Sequence, residues 1–342
     1  MAPSKWDLRL VREMKSWTNL ECLSSSVIPS VAVEEVPRPN VQRASNEESP
    51  QQEKDMVDSF RLTDFWQAYE EWSAYGAGVP IVLPTGESTM QYYFPSLSAM
   101  QIFTYKKFGK AHPDLKSSKR SGEGSSSSTE SEHQTVISDG SKSSSNSPGS
   151  GSNNAFAKQE GRERAEEYHG ELYCQYNEIV SPYVRYPLAE KIKELARKYP
   201  GLTTFRSTDL TPHSWLAIAW YPILQIPVMR SRKELSASFL TYHMLSWSPQ
   251  GLVNIIPEDN QRIESIIPPR RESKVPKNGE CKYEIGIPPF AMSTYKMHGA
   301  FWVNPKTADH ELMVSYQRAA WFWLRGHNFS HHDYNFFVSH GI

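Results

Sequence analysis

The run Trp215-Leu216-Ala217-Ile218-Ala219-Trp220-Tyr221-Pro222-Ile223 is apolar at both odd and even positions. A strand shows successive side chains to opposite faces, so a run apolar on both cannot lie on a surface. It predicts a central strand covered above and below, with residues 239–245 as a neighbouring strand. Whatever else the chain forms must supply a layer on each side of that sheet.

Three blocks have the pattern to do so. In the first, Thr63 or Asp64 can cap a helix that carries Phe65, Tyr69 and Trp72 on one face and stops at Gly76. Residues 79–83, 88–94 and 99–105 follow as strands, with Pro84-Thr85-Gly86-Glu87 and Pro95-Ser96-Leu97-Ser98 as links, an antiparallel meander. In the second block, residues 172–176 fit helix and strand alike. Pro187 then opens a helix with Leu188, Ile192, Leu195 and Tyr199 on one face. The third offers strands at 290–297 and 301–303, then a helix from Asp309 whose Leu312, Tyr316, Ala320 and Trp323 share a face. Helix, meander, helix, strands, helix is an α+β order, predicting a mainly antiparallel sheet flanked by helices in a single domain with disordered inserts.

The inserts declare themselves by composition. Residues 110–157 are dominated by serine runs such as Ser125-Ser126-Ser127-Ser128, and residues 246–282 carry Pro249, Pro257, Pro268, Pro269 and Pro276 among charges. Residues 1–56 read as a mostly disordered N-terminal tail with a short helix around Trp6, Leu10, Met14 and Trp17, leaving 57–338 as the folded domain. Basic residues among those apolar ones admit an organelle-targeting reading, which Asp7, Glu13 and Glu21 weaken.

A net charge of −1 gives no general attraction for phosphate backbones or acidic membranes, and no apolar run reaches the length of a membrane span. Cys22, Cys174 and Cys281 are odd in number and widely spaced, which argues for a reducing compartment and against a structural zinc. The expectation is an intracellular protein of nucleus or cytoplasm that binds a protein partner, with no cofactor, no nucleic acid and no membrane.

The strings Glu71-Trp72-Ser73-Ala74-Tyr75-Gly76-Ala77-Gly78-Val79-Pro80, Gln91-Tyr92-Tyr93-Phe94-Pro95, Pro200-Gly201-Leu202, Ser214 through Ile223, Phe239-Leu240-Thr241-Tyr242-His243, Ala291 through Lys296 and His331-His332-Asp333-Tyr334-Asn335-Phe336-Phe337 resemble a plant protein family, domain of unknown function 789. The resemblance spans most of 57–337 outside the inserts and weakens toward the N-terminus, where Thr18-Asn19-Leu20-Glu21 alone matches. It implies a plant source and one shared fold. It implies no activity and carries over no catalytic residue.

Candidate chemistry is thin. His327, His331 and Asp333 have metal-like types and spacing, but Phe329, Tyr334, Phe336 and Phe337 interleave with them, the pattern of a segment docked on a sheet. Ser214, His243 and Asp209 or Asp333 supply the types of a nucleophile triad, without a G-x-S-x-G elbow around Ser214. Trp72, Tyr92, Trp220, Tyr221 and Tyr242 could line a binding surface, although few cations accompany the strand aromatics, which disfavours a base-stacking platform. Ser127 and Thr129 each precede a glutamate by three residues and Ser147 precedes a proline, patterns that suit kinases. The leading expectation is a non-enzymatic interaction or regulatory protein. The alternatives are a hydrolase-like enzyme using His213, His243 or His298, and an RNA-binding protein.

Overall fold

The first described residues form a capped helix. The Thr18 hydroxyl accepts from the Glu21 amide while the Glu21 carboxylate accepts from the Thr18 amide, a capping box that starts α1 (Asn19–Ser26). Asn19 ties α1 to distant chain: its amide nitrogen donates to the carbonyls of Val82 and Phe301, and its oxygen accepts from the Val82 amide. Leu20 and Leu23 are fully buried, as is Val27 behind them. Strand β1 (Ser30–Pro37) follows with Val31 and Val33 turned inward. Much of the expected tail is therefore framework. Its serines and acids lower the average, but the few apolar residues fall at helix and then strand spacing, and that spacing is what burial uses.

The computed structural model describes residues 17–37, 56–83, 85–105, 169–223, 233–246, 283–297 and 299–340. The helix expected around Trp6, the serine-rich stretch with Ser127, Thr129 and Ser147, nearly all of the proline-rich segment, and His298 lie outside them.

After β2 (Met56–Ser59), Phe65 falls in one short helix, α2 (Leu62–Gln67), Trp72 in a second, α3 (Glu70–Tyr75), and Tyr69 at the break between them, so the expected single helix is two. Their rings still touch in sequence, tilted and then edge-on, with centroids 5.4 Å apart at each step. Gly76 ends α3 at φ +81°, where a Cβ would come within 2.7 Å of Ile223 Cδ1. Strand β3 (Ala77–Val82) turns into β4 (Ser88–Thr104).

Here the expected meander is corrected. The second and third strands are one long strand, because Pro95 pairs opposite Trp220 as an ordinary β residue and one extra residue, Ser98, is absorbed as a bulge between Leu97 and Ala99. The first half of β4 pairs with β3 and the second half with β5 (Glu171–Asn177), which settles the ambiguous segment as strand.

Pro187 caps α4 (Leu188–Lys198), and the short α5 (Gly201–Thr204) leads toward β6 (Trp215–Ile223). Strand β6 lies between β4 and β7 (Ser238–Met244), and β9 (Ala291–Tyr295) closes the sheet. Its order is β3-β4-β6-β7-β9, with β5 beside the far half of β4 and every pairing antiparallel. A smaller sheet, β2-β1-β8, takes β8 from Tyr283–Gly286. Residues 301–303 form a turn and not a strand; Trp302 is apolar because it is fully buried, not because it pairs. The chain ends in α6 (Asp309–Gly326) and α7 (His332–His340).

The central strand is buried on both faces. Leu216, Ile218 and Trp220 join Leu20, Phe65, Tyr69, Leu188 and Ile192 on one side. Trp215, Ala217 and Ala219 meet Ala320, Trp323, Tyr334 and Phe337 of α6 and α7 on the other. Small residues on that second face let α6 and α7 approach closely, while Trp215 fills the remaining space. The α+β class holds: helices cover both faces of an antiparallel sheet.

Candidate functional site

The bulge at Ser98 puts a hydroxyl where the sheet should be apolar. Ser98, His331 and Asp333 are each at most 3% exposed. Ser98 Oγ donates to Asp333 Oδ2 at 2.5 Å and lies 2.8 Å from His331 Nε2, while the Tyr242 hydroxyl lies 2.8 Å from His331 Nδ1. Arg185 reaches in from the loop before α4 and clamps Asp333 with both terminal nitrogens, at 2.5 and 2.7 Å, also donating to the Tyr221 hydroxyl. Burial pushes the Asp333 carboxyl up, but the Arg185 hydrogen bonds and charge, with Ser98, outweigh it and hold it below its ordinary value.

Serine, histidine and aspartate together invite a nucleophile reading, and the protons answer it. Asp333 is ionised and can only accept, so the one Ser98 proton goes to it. His331 Nε2 must then donate to Ser98, and Nδ1 must accept from Tyr242. The imidazole turns an N–H, not a lone pair, toward the hydroxyl, and burial draws its pKa down to about 4, which keeps it neutral. In a relay triad the carboxylate orients the histidine; here it holds the serine directly and a tyrosine occupies the orienting place. The cluster is a closed, fully satisfied network that pins α7 to the bulge of β4.

The same arginine shapes a surface. Glu178, itself buried, accepts from the amides of Ile179 and Val180 at 3.1 and 3.0 Å, and Arg185 Nε donates to the Val180 carbonyl at 2.8 Å. The charged groups of Glu178 and Arg185 thus point inward and fix the backbone. The apolar side chains point out: Ile179 is 70% exposed, Tyr183 96%, Val184 66% and Tyr186 61%. Elsewhere, His327 at the end of α6 lies beside His169 and His213, one ring nitrogen from each falling within 4.8 Å of the others.

A profile described as Protein of unknown function (DUF789) matches residues 18–337, nearly the whole chain and every element above except the last residues of α7. The chain belongs to the DUF789 family. No curated protein and no solved structure matches it. Membership therefore brings a fold and no activity, and no helix among the described residues of this DUF789 protein is long and apolar enough to cross a membrane.

The DUF789 chain distributes the residues singled out from sequence in ways their spacing did not reveal. The group of metal-like residue types is divided: His331 and Asp333 belong to the Ser98 network, whereas His327 faces two other histidines. Ser214 bridges the backbone of Phe103, its hydroxyl bonded to that residue's amide and carbonyl at 2.9 Å each. His243 bonds the Ile287 carbonyl and the Thr241 hydroxyl, and Asp209 caps a turn through the Arg206 amide. Trp220 and Tyr242 are fully buried and so lie in packed core, where Trp220 stacks on Phe239 with an interplanar angle of 11°. Trp72, Tyr92 and Tyr221 are partly covered.

Sequence reasoning missed Ser98, Arg185, His169 and the 179–186 loop. Ser98 looked like a turn residue after Pro95. Arg185 sat in a segment without periodicity, although Ile179-Val180 and Tyr183-Val184 were two apolar pairs with no helix or strand to bury them.

Proposed function

We propose that this DUF789 protein is a non-enzymatic protein-binding module whose contact surface is the loop 179–186. One observation carries the reading: four large apolar side chains are more than half exposed on a backbone held by a buried glutamate and a buried arginine. A mobile loop would lose ordering entropy on binding; one already fixed loses little, so aromatic and aliphatic anchors on it are efficient contacts. A patch of this kind on a folded chain marks an interaction site. Lys191 stands 5.2 Å from the Tyr186 ring centre and braces it, its own charge paired with Glu194 at 2.8 Å. The partner that fits is a protein with an apolar recess that accepts these side chains.

The closed proton network around Ser98 favours this reading over a hydrolase, because no base faces a nucleophile there. Cys22 and Cys174 are free, buried thiols with pKa values raised to about 11 and about 12 by burial, which suits a protein working inside the cell. Ser127, Thr129 and Ser147 are the proposed phosphorylation sites by which the serine-rich stretch tunes the contact.

The test replaces Tyr183 with a photo-crosslinking phenylalanine in the full chain and irradiates it in cell extract. The expected result is one crosslinked protein, displaced by excess wild type. Tyr183→Ser with Val184→Ser should then weaken binding to that protein by at least about tenfold. Crosslinks only between copies of this chain would make the loop a self-association surface, crosslinks to RNA would revive nucleic-acid binding, and none at all would end the proposal.

A further inference from the structure

Three histidines from three distant parts of the chain meet at one corner of the fold. His169 precedes β5, His213 lies in the turn before β6, and His327 follows α6. Each position is set by the backbone. Gly170 adopts φ +89°, where a Cβ would come 2.8 Å from the Thr104 carbonyl oxygen, so the close turn beside His169 needs glycine. The His169 carbonyl then accepts from the Thr211 hydroxyl at 2.7 Å. The Thr211 amide is bonded to the Phe103 carbonyl and the Ser214 amide to the Thr211 carbonyl, which closes the turn that carries His213. His327 Nδ1 lies 2.9 Å from the Trp323 carbonyl and must donate to it.

That last bond decides which nitrogen of His327 is available. With Nδ1 protonated, Nε2 holds the lone pair, and among the described residues this buried atom makes no hydrogen bond. A backbone carbonyl fixing the far nitrogen of an imidazole is the usual support of a metal-ligating histidine. The ring centres stand 4.3, 4.9 and 5.3 Å apart. Three imidazoles bound about 2 Å from one ion at tetrahedral angles place their ring centres about 5 Å apart. The ring nitrogens, now within 4.8 Å of one another, would close to about 3.3 Å around an ion, and the His169 ring, 14° from parallel to His327, would turn to aim its nitrogen at it.

We propose that His169, His213 and His327 bind a divalent late transition-metal ion of the zinc class, with the fourth position open to water. Three neutral nitrogen donors with no thiolate and no carboxylate select this class over calcium or magnesium. The surroundings agree: Phe103 and Trp323 wall the cluster, and burial brings His213 and His327 down to about 4, so both are neutral at physiological pH as ligands must be. A bound ion would clasp the start of β5, the lead into β6 and the end of α6. Aromatic packing of imidazoles alone accounts for the ring contacts, but does not require one ring nitrogen from each to lie within 4.8 Å of the others.

The full chain, stripped with chelator, is titrated with cobalt(II) as a spectroscopic stand-in and with zinc by calorimetry. The expected result is one equivalent bound, with the intense visible absorption of tetrahedral cobalt, displaced by zinc. His213→Phe and His327→Phe, which keep an aromatic ring in place, should each weaken binding at least about tenfold, while His332→Gln and His340→Gln should leave it unchanged. Should either phenylalanine variant fail to fold by circular dichroism, His169→Gln, on the more open chain turn, decides in its place. Absence of binding at micromolar metal, an octahedral spectrum, or undiminished affinity in folded ligand variants would each overturn the proposal.

Discussion

At Arg185 and Asp333 two full charges sit almost out of water, their side chains 2% and 5% exposed. Desolvating such a pair costs several kcal/mol, which the mutual attraction recovers with the help of further bonds: Arg185 also donates to Val180 and Tyr221, and Asp333 also accepts from Ser98. Removing one partner strands the other. Arg185→Ala should destabilise the protein by about 3–5 kcal/mol in urea denaturation, more than an exposed arginine such as Arg61, whose loss should cost under about 1 kcal/mol. Two buried histidines set an acid limit. Burial holds His243 and His331 at about 4, below the unfolded value of about 6.5. Each therefore gains a proton on unfolding between those limits. Stability should be level above about pH 6.5 and decline by about 1.4 kcal/mol per pH unit for each histidine down to about pH 4. Asp333, held below its ordinary value, adds its own loss only at still lower pH. A urea midpoint unchanged between pH 7 and pH 5 would show that these imidazoles are not buried neutral.

Among the elements, α1 was the least expected and is among the most tightly tied. Its Leu20 and Leu23 are fully buried, Asn19 makes three hydrogen bonds to chain far away, and the Thr18 hydroxyl donates to Asp309 at 2.9 Å, at the start of α6. Leu23→Ala should cost about 2–5 kcal/mol in equilibrium unfolding; a cost near zero would return this helix to the status of a tail. Strands β6 and β7 and helices α4 and α6 were legible because long apolar runs and a 3.6-residue repeat report burial directly. The continuity of β4 was not. Proline and serine at 95–98 have turn chemistry, and only the partner strand β6 shows that the backbone runs through. The candidate site was less legible still. Ser98, Arg185 and Asp333 are far apart in sequence, and no local pattern marks residues whose burial is permitted only by one another. The three histidines were individually visible, but not as a group, since distance along the chain carries no record of three turns closing on one corner.

At the scale of the molecule, two of the stretches outside the described residues leave and re-enter at adjacent strand ends. Pro37 lies opposite Met56, and Thr104 opposite Glu171. Replacing residues 106–168 by a short glycine-serine turn should therefore preserve the fold. It should raise the unfolding midpoint, because each halving of a loop saves about 0.6 kcal/mol of closure entropy; a collapse of stability would mean that the stretch packs on the domain. The exposed tip at Tyr183 presents a different consequence. Its backbone is fastened by the guanidinium that also grips the last helix, and that helix is fastened to the kinked middle of the longest strand. The tip is thus joined to the last helix by Arg185, with Asn177 beside it donating to the Ser330 carbonyl, so a companion seated there would grip a segment already tied to the far end of the chain.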